Sequence, residues 1–411
     1  MIETGINRRW SEDILPANSS LNQQVRDNFL EFNISGSDTT FIDLSTISLE
    51  LKISIVNNID DDFDLSAHNA LFVDGLFHRL FKSHTVYLNG TQVEGNQYFG
   101  IYNNIKMLCE TDVLKFDNFS DLMFYYDHEN NFEKYNTAAS FNAAIMTKSK
   151  LEPLHLRGLL MLDTGSMEQY LVSGVDVRIR LELSNFASVI MSNSDKSGNL
   201  SYKIDEAKLW IDRIEPNMSA LLSLNKAINR VGAIDYIYER PVTKTVIFPK
   251  DHRNIIIDNP FNSIIPRKIY MVMIAQDAMN GDYITNPCYF HNLKMTHMEA
   301  SINGETLMSF NSKFPNEAAS AYYSTLCGIG LDKANHSVRM SNFVDGHSIF
   351  VMNTESDQSD DKIALERNGN MRIKIDLSES LTKNFVIILI GQTMGTISIT
   401  PNRRVHSDVL Q

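Results

Sequence analysis

The sequence is poor in cysteine, in proline and in long apolar runs. Its 411 residues include only 3 cysteines (Cys109, Cys288 and Cys327) and 10 prolines. An odd number of widely spaced cysteines predicts reduced thiols in an intracellular setting rather than a disulfide framework. The longest apolar run, residues 385–390, is far shorter than the ~20 residues that a membrane-spanning helix needs. Because no apolar segment follows Met1, we also expect no signal peptide.

Basic charge is scarce as well. The chain has 37 lysines and arginines against 50 aspartates and glutamates, a formal net charge of −13, and no basic run is longer than two residues. A protein whose main work is to hold nucleic acid needs stripes of Lys and Arg that neutralise phosphates. The composition therefore argues against direct, sequence-specific nucleic-acid binding, and the acidic surface favours solubility.

Motifs for catalysis and for metal binding are missing too. The sequence has no His-x-His, His-Glu-x-x-His or Cys-x-x-Cys pair, no Gly-x-Ser-x-Gly elbow and no phosphate-binding glycine loop. Residues 60–64 space their carboxylates like a calcium loop, but Leu65 and Leu71 replace the glycine and the glutamate that such a loop requires. We interpret this segment, and Asp360 with Asp361, as solvated loops. We predict no catalytic, cofactor-binding or metal-binding residues and no cofactor.

Some other features allow a functional or a structural interpretation. Gly328 and Gly330 are more typical of a turn than of a nucleotide loop. Arg178 and Arg180 share one face of a predicted strand, which favours an exposed strand face over an anion site. The aromatic-rich segment 116–141 could cover a sugar, as a lectin loop does, but we favour a contact between subunits.

What the sequence does contain, twice, is a strand that ends in an Asn-Gly turn. Residues 82–91 read KSHTVYLNGT, and residues 294–305 read KMTHMEASINGE. Asn-Gly favours a type I′ hairpin turn, because both central residues of that turn need positive φ. The two turns begin at Asn89 and Asn303, and 303 − 89 = 214 is a little over half of 411. This spacing predicts that one β domain occurs twice.

Both hairpins also contain a histidine, His84 in the first and His297 in the second. A residue repeated at equivalent strand positions is better explained by shared packing than by catalysis. We therefore expect the two histidines to occupy equivalent structural positions and to carry no chemistry.

The pattern around the hairpins repeats in both halves. Strict alternation of apolar and polar residues at 47–55 and 175–183 predicts half-buried antiparallel strands. Short helices are predicted after each hairpin, at 101–109 and 318–326. Residues 216–231 read as a linking helix, which Asn217 begins as N-cap and Gly232 ends.

These elements predict an all-β protein of two tandem eight-stranded jelly rolls, a double jelly roll with short helices after matching hairpins and long loop insertions. We expect an N-terminal arm at 1–27, a first jelly roll at 28–215, a linking helix at 216–232, and a second jelly roll with a C-terminal tail at 233–411. The arm and the last few residues are expected to become ordered only against neighbouring subunits.

Seven segments keep one order along residues 29–405. They are FNISGS at 32–37, VYLNG at 86–90, VDVRIRL at 175–181, IEPNMSALL at 214–222, PFNSIIPR at 260–267, NGDYITNP at 280–287 and ITPNRRV at 399–405. This ordered series resembles the major capsid proteins of the Polinton/Maverick and adintovirus type. The segments 111–150 and 309–360 resemble that family least.

The resemblance implies a viral major capsid protein that is not an enzyme. Three copies would form a pseudo-hexagonal capsomer of six jelly rolls, and capsomers would tile an icosahedral shell around a double-stranded DNA genome, or around a domesticated virus-like particle. Its partners would be further copies of itself, the penton protein and other minor capsid proteins, and it would assemble inside the host cell into the virion capsid. The alternative is a tandem jelly-roll protein that binds carbohydrate. A jelly-roll glycosidase, which needs two carboxylates about 5–10 Å apart in a groove, ranks third.

Overall fold

The computed structural model describes residues 5–18, 28–57, 70–125, 133–134, 153–192, 199–330, 337–355 and 367–408. Within these residues, β-strands joined by antiparallel pairing dominate. The strands are β1 Ile6–Ile14, β2 Phe29–Ile34, β3 Phe41–Asn57, β4 Ala70–Phe72, β5 Phe81–Leu88, β6 Thr91–Asn96, β7 Leu154–Leu159, β8 Val177–Leu183, β9 Ile190–Ser192, β10 Leu200–Pro216, β11 Ile234–Phe248, β12 Asn254–Asp258, β13 Ile264–Ile265, β14 Lys268–Ala275, β15 Met295–Ile302, β16 Glu305–Asn311, β17 Phe350–Asn353, β18 Arg367–Asn368, β19 Met371–Leu377, β20 Phe385–Ile399 and β21 Val405–Ser407.

Short helices connect some of the strands. The α-helices are α1 Leu76–Arg79, α2 Phe99–Cys109, α3 Val113–Met123, α4 Met218–Val231, α5 Gln276–Asn280, α6 Ala319–Ile329 and α7 Met340–Val344. The 3₁₀ turns are η1 Asp163–Ser166 and η2 Phe186–Ser188. No helix among the described residues is both long and apolar enough to cross a membrane.

The strands form two jelly rolls, each built around two four-stranded sheets. In the first roll (β1 to β10) the sheets have the orders β1-β10-β3-β7 and β2-β8-β5-β6. In the second roll (β11 to β21) the orders are β11-β20-β14-β17, with β21 added to β20, and β12-β19-β15-β16. The four strands of each sheet in the first roll thus have counterparts in the second, and the predicted double jelly roll is confirmed.

The two Asn-Gly hairpins, β5–β6 and β15–β16, match residue for residue. Positive φ occurs at Asn89 and Gly90 (44° and 80°) and at Asn303 and Gly304 (52° and 87°), as the turn type requires. Both hairpins also carry register shifts at two matching places. The shifts fall at 81/83 and 86/87 in the first hairpin and at 295/297 and 300/301 in the second. The offset of 214 residues between the two turns therefore relates equivalent positions along both hairpins.

The core of each roll follows from the apolar alternation. Along β3, the inward side chains of Ile47, Leu49, Leu51 and Ile53 are at most 2% exposed, and the residues between them face outward. Strand β20 differs, because residues 387–393 are buried on both faces. On this strand, Gln392 donates hydrogen bonds to Tyr102 and Glu110 of the first roll.

The linking helix forms as predicted, over Met218–Val231. The side chain of Asn217 accepts a hydrogen bond from the backbone N–H of Ala220 at 2.7 Å, which satisfies one of the free donors of the first turn. Gly232 ends the helix with a φ of 96°. Helices α2 and α6 likewise follow their hairpins.

The N-terminal prediction is wrong for Ile6–Ile14. This segment is an edge strand of the first roll, paired with β10 from Ile6↔Pro216 to Ile14↔Leu209. Its polarity misled the prediction, since an edge strand is ordered by backbone hydrogen bonds and here also by ion pairs. Arg9 contacts Asp43 at 3.0 Å and Asp212 at 2.9 Å.

The prediction about the C-terminal tail fails in the same way. Val405–Ser407 pairs with β20 of its own chain, so this segment is ordered without a neighbouring subunit. Residues 1–4, 19–27 and 409–411 lie outside the described residues.

Candidate functional site

Helix α2 lies between the two rolls, and all of its residues are buried. Glu110, which follows the helix, accepts hydrogen bonds from Tyr270 on β14 and from Gln392 on β20. The distance from Gln392 Nε2 to Glu110 Oε1 is 3.0 Å. The helix after the first hairpin is therefore followed by a carboxylate, that of Glu110, which the sheet of the second roll holds through hydrogen bonds.

The charges in this contact are buried together. Burial alone would raise the pKa of Glu110, but the charges of Lys106 and Lys268 and two hydrogen bonds outweigh it and lower the pKa. Burial would lower the pKa of Lys106, but neighbouring Tyr102 and Glu110 raise it. Both groups therefore stay ionised, and removal of Glu110 would take away the buried carboxylate that faces Lys106 and Lys268.

Strand β11 extends the contact along the first roll. Tyr238 donates a hydrogen bond through Oη to the carbonyl oxygen of Val93 at 2.6 Å. The backbone N–H of Glu239 donates to Oγ of Ser166 at 2.9 Å. The second roll thus contacts β6 and η1 of the first roll, in addition to α2.

Three buried ionisable side chains meet beside this contact. His84 on β5 hydrogen bonds through Nε2 to Oε1 of Glu94 on β6. The two oxygens of Glu94 also accept the backbone N–H groups of Asp163 and Thr164, at 2.7 and 2.9 Å. One nitrogen or oxygen atom from each of His84, Glu94 and Asp163 lies within 4.8 Å of the other two. The three residues, which we call the HED cluster, are 1%, 2% and 3% exposed.

The two carboxyl groups of the HED cluster differ in ionisation. Burial would raise the pKa of Glu94, but the charge of His84 and the hydrogen bonds to the carboxylate lower it. Burial, together with the negative charge of Glu94, raises the pKa of Asp163 well above its ordinary value. The site therefore separates an ionised carboxylate from one that favours its proton.

The expected equivalence of His84 and His297 is wrong. The offset of 214 between the hairpins places Met298 at the position of His84 and His297 at the position of Ser83, one step away on the strand. A shift of one residue turns a side chain to the opposite face of a sheet. His84 is accordingly buried, whereas the side chain of His297 is 24% exposed and hydrogen bonds to Asn311 at 2.9 Å.

Sequence reasoning missed the HED cluster because its residues form no local motif. His84 and Glu94 lie across a hairpin, and Asp163 follows only after helices α2 and α3 and strand β7. A comparison of the two halves would have revealed it, since the offset of 214 also places Met308 at the position of Glu94. A polar pair in one roll thus corresponds to a methionine pair in the other.

The paired arginines of β8 lie on an exposed strand face, as expected. The guanidinium carbon of Arg178 lies 4.2 Å from the ring centroid of Tyr87, and that of Arg180 lies 4.0 Å from the ring centroid of Phe29. These cation–π contacts hold the two side chains flat on neighbouring strands.

The predicted turn is wrong for Gly328, which lies within helix α6 and has a packing role. A Cβ on Gly328 would lie 2.1 Å from the carbonyl oxygen of Val351, so the glycine lets α6 approach β17 closely. Gly330, with a φ of 116°, ends the helix. The carboxylates at 60–64 and at Asp360 and Asp361 lie outside the described residues, as do residues 126–132 and 135–141 of the aromatic segment.

The second roll presents an open groove beside α6. The groove has a volume of about 280 Å³. Tyr323, which lines it, is 60% exposed. Apolar side chains of β16, α6 and β17 line it, including Leu307, Met308, Cys327 and Met352. Among the described residues, the helix that follows the second hairpin is thus less covered than α2.

No protein-family model and no curated protein matches the chain. Solved structures match its fold over almost its full length. A chain of the cryo-EM structure of the Sputnik virophage is similar with a TM-score of 0.64 and 13% identity, over 100% of this chain and 90% of that one. The PBCV-1 virus capsid gives a TM-score of 0.57 and 9% identity, over 100% and 99% of the two chains.

The mavirus major capsid protein gives a TM-score of 0.53 and 10% identity, over 97% of this chain and 90% of that one. At such low identity, these likenesses establish the fold alone. The chain therefore has the double jelly-roll fold that these viral capsid proteins share.

Proposed function

We propose that this chain is a viral major capsid protein. Three copies form a pseudo-hexagonal capsomer, and capsomers tile an icosahedral shell around a double-stranded DNA genome or form a domesticated virus-like particle. The shared fold of the mavirus major capsid protein and the PBCV-1 capsid supports the structural role. In this role the protein is not an enzyme, and it resides in the virion capsid after assembly inside the host cell.

The observation that carries this proposal concerns the Asn-Gly hairpin and the helix that follows it. Both rolls contain this pair of elements, but in the described residues only the first pair is buried against the other roll. The first hairpin and α2 contact strands β11 and β20 of the second roll, and every residue of the helix is buried. The second hairpin has the same turn and the same two register shifts, and α6 follows it. Tyr323 on α6 is nevertheless 60% exposed beside the open groove. The face around α6 is therefore the counterpart of a buried interface.

The matching receptor surface is the sheet β1-β10-β3-β7 of another copy. On that sheet the side chains of Lys52, His155 and Arg157 are 40%, 55% and 47% exposed. Arg157 also stacks on Trp210 at 4.7 Å, an aromatic–arginine pair of the kind enriched in interfaces. Contact between α6 of one chain and this sheet of the next is head-to-tail, and such contacts form rings when the rotation closes. Three chains of two rolls would give a ring of six.

Two finer points belong to the proposal. The ordered segments between residues 32 and 405 support the Polinton/Maverick and adintovirus type, in which penton and other minor capsid proteins complete the shell. We also propose the domain division 28–215, 216–232 and 233–411, with Ile6–Ile14 added to the first roll.

Sedimentation of the purified full chain at micromolar concentration tests the assembly. We expect a trimer, and rings or particles in negative stain. Tyr323→Glu introduces a charge into the groove and is expected to yield monomers. Leu222→Glu, at a residue that is 53% exposed on the linking helix, is the matched control and should remain a trimer. A monomeric wild type, or a Tyr323→Glu trimer as stable as the control, would contradict the proposal.

A further inference from the structure

The HED cluster is a closed site of buried ionisable groups with buried polar atoms beside them that lack a partner in the described part of the chain. Glu94 and Asp163 face one imidazole, that of His84, in a site closed to water. The other charges near Asp163, those of Lys106 and Glu239, have opposite signs. Two buried polar atoms at the cluster, Nδ1 of His84 and Oγ1 of Thr164, have no hydrogen-bond partner among the described residues. Buried polar groups of this kind are costly unless something compensates them.

We propose that His84, Glu94 and Asp163 bind one divalent transition-metal cation, with zinc as the best match. One imidazole and two carboxylates form a ligand set that suits Zn²⁺, which takes nitrogen and oxygen ligands at about 2.0–2.2 Å. The charge of the cation equals that of two ionised carboxylates, so the filled site is neutral. All three residues belong to one chain, so the site does not depend on the proposed assembly.

The three candidate ligand atoms are already grouped in the fold. In a tetrahedral site with such bond lengths, ligand atoms lie roughly 3.4 Å apart, and the three candidate atoms already lie within 4.8 Å of one another. The cation takes the place of two protons, the one between His84 Nε2 and Glu94 Oε1 and the one that Asp163 favours, and both are released to solvent. The backbone N–H groups of Asp163 and Thr164 fix the Glu94 carboxylate, as outer hydrogen bonds do at metal sites.

A cation at this position would connect β5, β6 and η1, and η1 lies far from the hairpin in the chain. Strand β6 and η1 are also the parts of the first roll that receive Tyr238 and Glu239 of β11. Metal binding would therefore stabilise the surface on which the second roll rests.

The second roll supplies a natural pattern for the test. Because Met298 and Met308 stand at the positions of His84 and Glu94, the double change His84→Met with Glu94→Met reproduces a pair that this fold already accommodates. Asp163→Asn is the smaller change, which keeps the shape of the side chain and removes its charge.

The test is carried out on the full-length chain, treated with a chelator and then dialysed. Zinc titrated into the wild type, followed by calorimetry and by elemental analysis after desalting, should show one tightly bound ion per chain. Zinc should also raise the melting temperature. Both variants should lose this ion and the thermal shift, while Asp163→Asn keeps the wild-type circular dichroism spectrum. If the double variant misfolds, Asp163→Asn decides the question alone. A wild type that retains no zinc, or an Asp163→Asn protein that retains as much, overturns the proposal.

Discussion

The hydroxyl group of Tyr270 offers a direct measure of the contact between the two rolls. Tyr270 is 1% exposed, and its Oη donates a hydrogen bond to the ionised carboxylate of Glu110. Tyr270→Phe keeps the aromatic packing and removes one of the two donors that the second roll supplies to this carboxylate. Hydrogen bonds to charged groups contribute about 1.5–3 kcal/mol. Because Gln392 remains, we expect the free energy of unfolding to fall by about 2 kcal/mol.

Urea unfolding followed by circular dichroism measures the change. Tyr170→Phe is the matched control, since it removes the same hydroxyl from a residue that is 38% exposed and lies outside the groove, and it should cost less than about 0.5 kcal/mol. A double-mutant cycle with Glu110→Gln isolates the pair. Residues in direct contact typically show a coupling energy of about 0.5–3 kcal/mol.

Two results would refute this reasoning. Equal losses for Tyr270→Phe and Tyr170→Phe would show that the buried hydroxyl does no more than an exposed one. A coupling energy near zero in the cycle would show that Tyr270 does not stabilise the Glu110 carboxylate. Either outcome would remove the charged network as a source of stability in the contact.

Substitution of the two hairpin histidines tests whether strand register, rather than residue type, decides the loss of stability. His84→Ala leaves Glu94 as an uncompensated buried charge and should cost about 3–5 kcal/mol, whereas His297→Ala should stay within about 0.5 kcal/mol; equal losses in urea unfolding would contradict the offset of 214. Burial of His78 lowers its pKa from 6.5 to about 4. Between these pH values the unfolded chain therefore binds a proton that the folded chain does not bind. The stability present above pH 6.5 should fall towards pH 4, by up to about 1.4 kcal/mol per pH unit. His78→Gln should flatten this dependence by about one proton, and an unchanged slope would refute the assignment.

Features encoded by neighbouring residues could be predicted from the sequence. Asn-Gly dictates the two turns, because few other residue pairs accept positive φ twice in succession. The N-cap Asn217 and the terminal Gly232 act within one turn of the linking helix, so its bounds were also predictable. Two hairpins at a half-chain spacing then sufficed to indicate duplication.

Features that depend on distant partners could not be predicted in this way. Strand β1 has few apolar residues, and its order comes from β10, the last strand of the first roll. Helix α2 was predicted from its own residues, but the burial of every one of them depends on distant parts of the chain. The HED cluster requires knowledge that η1 lies against β6. The histidines misled because His84 lies five positions before its turn asparagine and His297 lies six before its own.

The residue types at the positions of His84 and Glu94 differ between the two rolls because different surfaces cover the two hairpins. In the first roll the site of the buried pair supports a contact within one chain, which forms once during folding and can keep buried charges that fix its geometry. In the second roll the same positions hold Met298 and Met308, and Met308 lines the open groove. On the proposed function, that groove must be desolvated each time two chains meet, and burial of an ionised pair there would oppose association. Methionine is apolar and adaptable, so it suits a surface that packs after folding. A buried charged pair therefore suits the contact within the chain, and a methionine pair suits the contact between chains.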